Sequence, residues 1–184
     1  MERRGVPVDL SGKLENPGDS LALAGIIEQT SYTVGEKEFS CPSGIAYDVV
    51  LTNAGDGILV SGMARTSATS ECDRCLEPAH QDISGEIEEY YLFSQPHEEQ
   101  LEDTDEDAEI LPAHRRIDLY DAIMDAIVMD TPFVVLCKED CKGLCPVCGA
   151  NLNEESCSCS QKDEDVDSDS NPFSVLKNLK FDEV

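Results

Sequence analysis

The chain has 184 residues, with 39 acidic side chains against 13 Lys and Arg and a formal charge of −26 at pH 7. That length gives one domain of ordinary size, alone or with a small appendage. The charge repels a phosphate backbone and forgoes counterion release, so it disfavours direct, extensive RNA or DNA binding and favours a basic protein partner.

The opening residues MERRGVPVDLSGKLENPGDS have no apolar run after their charges, and no stretch of the chain has the apolar length that spans a bilayer. Both features lead us to expect a cytoplasmic protein with no membrane partner. In a reducing compartment, nine cysteines with Cys-x-x-Cys spacing favour metal over disulfides.

Residues 1–23 read as a mixed lead-in segment with one short helix. Ile26 to Val34 is expected as a first strand, followed by a turn at Gly35-Glu36-Lys37. Ile45 to Thr52 alternates apolar and polar side chains, and Asn53-Ala-Gly-Asp-Gly57 supplies hairpin turn residues. Ile58 to Ser70 then sets Ile58, Val60, Gly62 and Ala64 on one side against Leu59, Ser61 and Met63 on the other. A further strand is expected from Ile83 to Phe93. This pattern implies an α+β chain: an antiparallel β meander or partly open barrel with a packing helix and a cysteine-rich zinc-binding segment.

Residues 98–109, EEQLEDTDEDAE, carry eight acids and no base and read as a solvated linker that ends near residue 112. Asp118 is a candidate N-cap for a helix whose stripe is Leu119, Ala122, Ile123, Ala126 and Ile127. Thr131-Pro132 ends that helix. Pro132 to Leu136 is expected to be buried and delivers the chain to Cys137. A second acidic linker, 161–170, leads to Asn171-Pro172, a helix start signal. In the short amphipathic helix that follows, Phe173, Val175, Leu176 and Leu179 are candidates for a partner anchor. The expected organisation is thus 1–97 mainly β with the Cys-x-x-Cys loop, 98–112 linker, 113–160 helix and cysteine segment packed on the β domain, and 161–184 linker and helix.

Six of the nine cysteines fall between Cys137 and Cys159, and Cys72-Asp-Arg-Cys75 forms a pair well upstream. Sequence order suggests a first structural Zn²⁺ site of Cys72, Cys75, Cys137 and Cys141, and a second of Cys145, Cys148, Cys157 and Cys159. Four thiolates with no open position are how structural zinc is held. Cys157-Ser-Cys159 is the strained part, because convergence on one ion there requires a local kink. A competing division joins Cys141 to Cys145, Cys148 and Cys159 as a single site and leaves the Cys72 pair metal-free or reactive. Cys41 is left over as a small buried thiol. Arg74, inside the first knuckle, is read as a solvated or thiolate-screening charge.

Taken together, Cys72-Asp-Arg-Cys75-Leu-Glu-Pro78, Cys137-x₃-Cys141-Lys-Gly-Leu-Cys145-Pro-x-Cys148-Gly-x-Asn151-Leu-Asn153 and the closing Asn-Pro-Phe-x-Val-Leu-x-x-Leu-Lys resemble one known family. This is the bacterial YceD-type family, the large ribosomal RNA subunit accumulation proteins. The resemblance runs from about Leu59 onward. It implies a non-enzymatic role in 23S rRNA accumulation and large-subunit biogenesis. Members with fewer cysteines resemble this chain at Cys72, Cys75, Cys137 and Cys141, which supports the first site as a unit.

A ribosomal protein or an rRNA-processing nuclease would suit the charge as partner. Two other readings stand beside this one. In the first, Cys72 and Cys75 form a redox pair with Arg74 stabilising the thiolate. In the second, the zinc segment binds rRNA directly through Lys138 and Lys142, a thin basic footprint beside so much negative charge.

Overall fold

The computed structural model of the chain describes residues 5–94 and 109–159. In chain order its strands are β1 (Pro7–Asp9), β2 (Ser20–Ile27), β3 (Ser31–Val34), β4 (Lys37–Ser40) and β5 (Ile45–Asn53). They continue as β6 (Gly57–Glu71), β7 (Pro78–Leu92), β8 (Glu109–Ile110) and β9 (Arg116–Asp118), and one helix follows, α1 (Tyr120–Asp130).

The sheet is built around β6. Its side chains alternate strictly, so Ile58, Val60, Ala64, Thr66, Ala68 and Ser70 are buried on one face. β7 pairs antiparallel along its whole length, from Gly57↔Leu92 to Glu71↔Pro78, and turns Ala79, Ile83, Ile87 and Tyr91 to the same face. The other side of β6 is shared. β5 covers Ile58 to Arg65, and β4 meets β6 farther along at Ser40↔Thr69. β2 flanks β5, β3 flanks β4, and β8 runs parallel to β7. The seven-stranded sheet stays open and does not close into a barrel.

α1 lies on the inner face over β7 and β6. It buries Leu119, Ile123 and Ile127 completely, each contributing roughly 2 kcal/mol of apolar burial. The helix can approach so closely because β7 has Gly85 at the crossing, where an added Cβ would lie 2.1 Å from the carbonyl oxygen of Ala126. At the helix C-terminus, Thr131 Oγ1 donates to the carbonyl of Ile127 (2.6 Å) and sits 3.0 Å from the hydroxyl of Tyr32. Tyr32 stacks on Phe39 with ring centroids 5.2 Å apart. The β3–β4 hairpin is thereby fastened to the end of the helix that leads into the cysteine segment.

Several expectations need correction. No helix forms in residues 5–23. β1 pairs there with β9, because Val8 and Ile117 bury side by side. The first long strand begins at Ser20 rather than Ile26. The stretch Ile26 to Val34 is two strands, broken where the Gln29 N–H turns back to the carbonyl of Ile27 (2.8 Å).

β7 starts at Pro78 and ends at Leu92, because β6 offers it a ladder down to the knuckle. The expected acidic linker ends early. Glu109 and Ile110 pair with β7, and the Leu111 N–H donates to the Leu92 carbonyl (2.7 Å) as Leu111 buries.

Asp118 closes β9 and the N-cap is Leu119. The Asp118 carboxylate still accepts from the N–H groups of Tyr120 (3.0 Å) and Val6 (2.7 Å). Of Pro132 to Leu136 only Val135 is fully buried, while Phe133 is 89% and Val134 64% exposed.

Candidate metal centres

The loop between β6 and β7 is Cys72 to Glu77. Its shape is set by two backbone hydrogen bonds, Leu76 N–H to Cys72 O (3.0 Å) and Cys72 N–H to Glu77 O (2.9 Å). Cys145 to Ala150 repeats this shape. There the Gly149 N–H donates to Cys145 O (2.8 Å) and the Cys145 N–H to Ala150 O (2.8 Å). The residue after the second cysteine has positive φ in both, +73° at Gly149 and +62° at Leu76. The two knuckles are therefore the same turn, with a leucine in the first where the backbone favours glycine.

The first cluster joins the upstream knuckle to the segment after α1. Cys72, Cys75, Cys137 and Cys141 hold their sulfurs within 4.8 Å of one another. The Cys72–Cys141 pair is 3.8 Å apart and the Cys75–Cys137 pair 3.5 Å. A regular tetrahedron with metal–sulfur bonds of about 2.3 Å has edges of about 3.8 Å. Disulfides are far shorter, so the spacing fits four thiolates around one thiophilic ion. Cys72, Cys75 and Cys141 are buried and Cys137 is the most open.

Four hydrogen bonds fix the crossing of the two chain segments, and an ion pair from β4 supports them. Asp73 N–H donates to the Val135 carbonyl (2.8 Å), and the Val135 N–H returns to the Asp73 carboxylate (2.6 Å). Lys37 from β4 pairs with the same carboxylate. Arg74 donates from its guanidinium to the Cys141 carbonyl (2.9 Å), and its own carbonyl accepts the Leu144 N–H (3.0 Å). Arg74 is therefore a cross-brace between the cysteine segments, more than the solvated charge expected.

The second cluster is Cys145, Cys148, Cys157 and Cys159, also with sulfurs within 4.8 Å. The kink that Cys157-Ser-Cys159 needs is present as a bend at Ser158. The two clusters adjoin through Asn153. Its side chain donates to the Cys141 sulfur (3.4 Å) and accepts from the Lys142 N–H (2.9 Å), while Asn151 orients it (2.9 Å). Gly143, at φ +75°, lets this crossing occur, since a Cβ there would stand 2.9 Å from the carbonyl of Arg74.

The thiols of each cluster differ in acidity. Burial opposes ionisation of Cys72, but the N–H groups of Arg74, Cys137 and Cys75 outweigh it and hold the thiol at about 6. The knuckle N–H groups of Cys148 and Val147 hold Cys145 at about 6 likewise. Cys137 is pushed up to about 12 by burial and by Cys75, Cys141 and Cys72. Cys159 reaches about 12 through Cys148, burial and the repulsion of its cluster. At Cys141, burial is outweighed by the Asn153 amide and the Gly143 N–H, and the thiol is lowered. The backbone N–H groups of each knuckle thus favour the thiolate of its first cysteine, and a cation among the four sulfurs would favour it at the others.

The structure brings all eight cysteines together in two fours. The competing single site on Cys141, Cys145, Cys148 and Cys159 does not form, because Cys141 turns to Cys72. Cys41 is fully buried, with its thiol against the carbonyl of Gln29 (3.1 Å). Phe173, Val175, Leu176 and Leu179 lie outside the described residues. Sequence reasoning placed none of Asp73, Val135, Lys37 or Asn153 in the site, although Asp73 and Asn153 stand inside the quoted motifs. Overlaying CDRCLE on CPVCGA would have exposed the shared turn, but nothing local points to the Asp73–Val135 exchange.

No solved structure matches the chain. It is 31% identical over 150 residues to an uncharacterised protein of Mycobacterium tuberculosis, a match covering 80% of this chain and 71% of that one. It is 28% identical over 178 residues to a chloroplastic protein of Zea mays named large ribosomal RNA subunit accumulation protein YCED homolog 1, covering 82% and 60% of the two chains. Residues 60–180 match the family described as large ribosomal RNA subunit accumulation protein YceD. That span takes in both knuckles and both cysteine fours, and the chain belongs to the YceD family.

Proposed function

We propose that this protein is a non-catalytic factor for accumulation of 23S rRNA and biogenesis of the large ribosomal subunit, held in shape by two structural Zn²⁺ ions. It works in the cytoplasm through a basic protein partner, a ribosomal protein or an rRNA-processing nuclease. The observation that carries the zinc reading is the pair of four-thiol clusters, each with its four sulfurs within 4.8 Å of one another, a donor set that closes a structural zinc site. Family membership supports the rRNA pathway. The acidic surface supports a basic partner over bare RNA. A redox role for Cys72 and Cys75 fits less well, because each thiol is buried and already faces another across the cluster.

Three measurements test the proposal. Metal analysis of freshly purified, reduced protein should find two zinc ions per chain, one for each cluster. Deleting the gene should lower 23S relative to 16S rRNA, with rescue by the wild-type chain and not by a Cys72→Ser, Cys137→Ser double variant. Affinity purification should recover large-subunit or rRNA-processing proteins. A deletion strain with normal 23S levels refutes the pathway, and a metal-free, fully folded protein refutes the zinc.

A further inference from the structure

Among the described residues, the seven-stranded sheet has one long uncapped edge. β2 pairs with β5 on one side, and among the described residues no strand pairs with the other. The Asn53 N–H donates to the Asp19 carbonyl (2.9 Å), which fixes the alternation of this antiparallel ladder. It follows from the register that Leu21, Leu23, Gly25 and Ile27 direct their backbone groups at β5, while Ser20, Ala22, Ala24 and Ile26 direct theirs outward.

Natural edges are blunted with charges, prolines or bulges. Ser-Leu-Ala-Leu-Ala-Gly-Ile-Ile has none of these. Leu21 and Leu23 are only partly covered on the inner face, and Ile26 is 65% exposed on the outer one. The other outer strands are shorter, four residues in β3 and two in β8.

We propose that the free edge of β2 accepts an extended, basic segment of the protein partner as an added antiparallel strand. The idea rests on the partner reading above and names its surface. Backbone groups of Ser20, Ala22, Ala24 and Ile26 supply the ladder, and alternate apolar side chains of the incoming strand cover Leu21 and Leu23.

Charge selects the occupant. In the symmetric pairings of two copies that these outward groups allow, Ser20 stands opposite Ile26 or Glu28 of the second copy, so Asp19 of each copy lies one position from Glu28 of the other, at both ends. Like charges brought this close repel, and each copy also carries a formal −26. A partner strand with Lys or Arg at its ends, set opposite Asp19 and Glu28, makes attractions there instead.

The test uses the full-length, zinc-loaded protein and the peptide Lys-Val-Thr-Val-Thr-Val-Thr-Val-Thr-Lys, with a twin carrying Glu at both ends. The lysine peptide should slow amide exchange at Ser20, Ala22, Ala24 and Ile26 by about tenfold or more and leave the odd positions as they were. The glutamate twin should have no such effect. Ala24→Pro removes an outward N–H without touching the β5 ladder, and Ala22→Lys charges the edge. Both variants should keep the wild-type melting temperature and zinc content and lose the peptide effect.

Equal binding by Ala24→Pro and Ala22→Lys, or protection centred elsewhere, overturns the assignment. A dimer in sedimentation that protects the same amides without peptide overturns the choice of occupant. Exchange is read without reference to rRNA. A chain that sustains 23S rRNA but fails here refutes the edge alone, and one that binds peptide in a strain with normal rRNA refutes the pathway alone.

Discussion

Removing metal from the first cluster should loosen the whole sheet, and the size of the effect follows from topology. Cys75 and Cys137 are 62 positions apart and meet at 3.5 Å. Constraining a loop of that length lowers the entropy of the unfolded chain by an amount worth about 4 kcal/mol. A domain of this size loses roughly 2–4 °C of melting temperature per kcal/mol, so the midpoint should fall by roughly 8–16 °C. The relevant comparison is zinc-loaded protein against protein stripped by a strong chelator under reducing conditions, with metal content measured on the same samples. Cys137→Ser should reproduce most of the drop without a chelator. Cys157→Ser, in the second cluster, should release only the segment from Cys145 to Cys159 and leave exchange along β6 unchanged. A stripped protein that melts within about 2 °C of the loaded one refutes the reasoning, because the crossing would then be held without the ion.

Three further outcomes are expected. Asp73→Ala removes the acceptor of the Val135 N–H and should cost about 2 kcal/mol in chemical denaturation, whereas Lys37→Ala, which loses a partly exposed ion pair and an exposed hydrogen bond to the Glu71 carbonyl, should cost less than about 1 kcal/mol. Leu76→Gly should raise stability by roughly 0.5–1 kcal/mol, since Leu76 has φ +62° and is 61% exposed; a loss larger than about 1 kcal/mol would show that its side chain makes an important contact. Asp9 is lowered to about 2 by hydrogen bonds from Ser11 and by Arg116. Its folded pKa is depressed, so its contribution is present above the ordinary carboxylate value near 3.8 and lost as pH falls toward 2, and Asp9→Asn should flatten that part of the stability curve.

What could be read from the sequence is what depends on near neighbours. The hairpin at Asn53 to Gly57, the period-two face of β6 and the stripe of α1 each follow from residues a few positions apart. The cysteine fours were legible because thiols at knuckle spacing have few other uses in such a chain. What stayed hidden depends on distant partners. Pro7 to Asp9 is a strand only because Arg116 to Asp118 lies beside it, and Glu109 and Ile110 pair only because Leu92 exposes a free carbonyl at the end of β7. Phe133 and Val134 looked like core because they are apolar. The exchange between Asp73 and Val135 holds that stretch by its backbone instead and leaves both rings and methyls in water.

Asn153 gives the two clusters a shared economy of order. The turn that closes the second four places its amide on the Cys141 sulfur and its carbonyl oxygen on the Lys142 N–H. An ion that settles the second knuckle therefore presets a donor for the first, and an ion in the first fixes the chain from which the second turn departs. On the zinc reading this contact would link their affinities, and the linkage would be reciprocal. In that case the protein fills over a narrower span of free metal than two separate sites of the same chemistry would. Partly loaded chains are then scarce, and the amount of competent factor becomes a steep function of the metal supply of the cell.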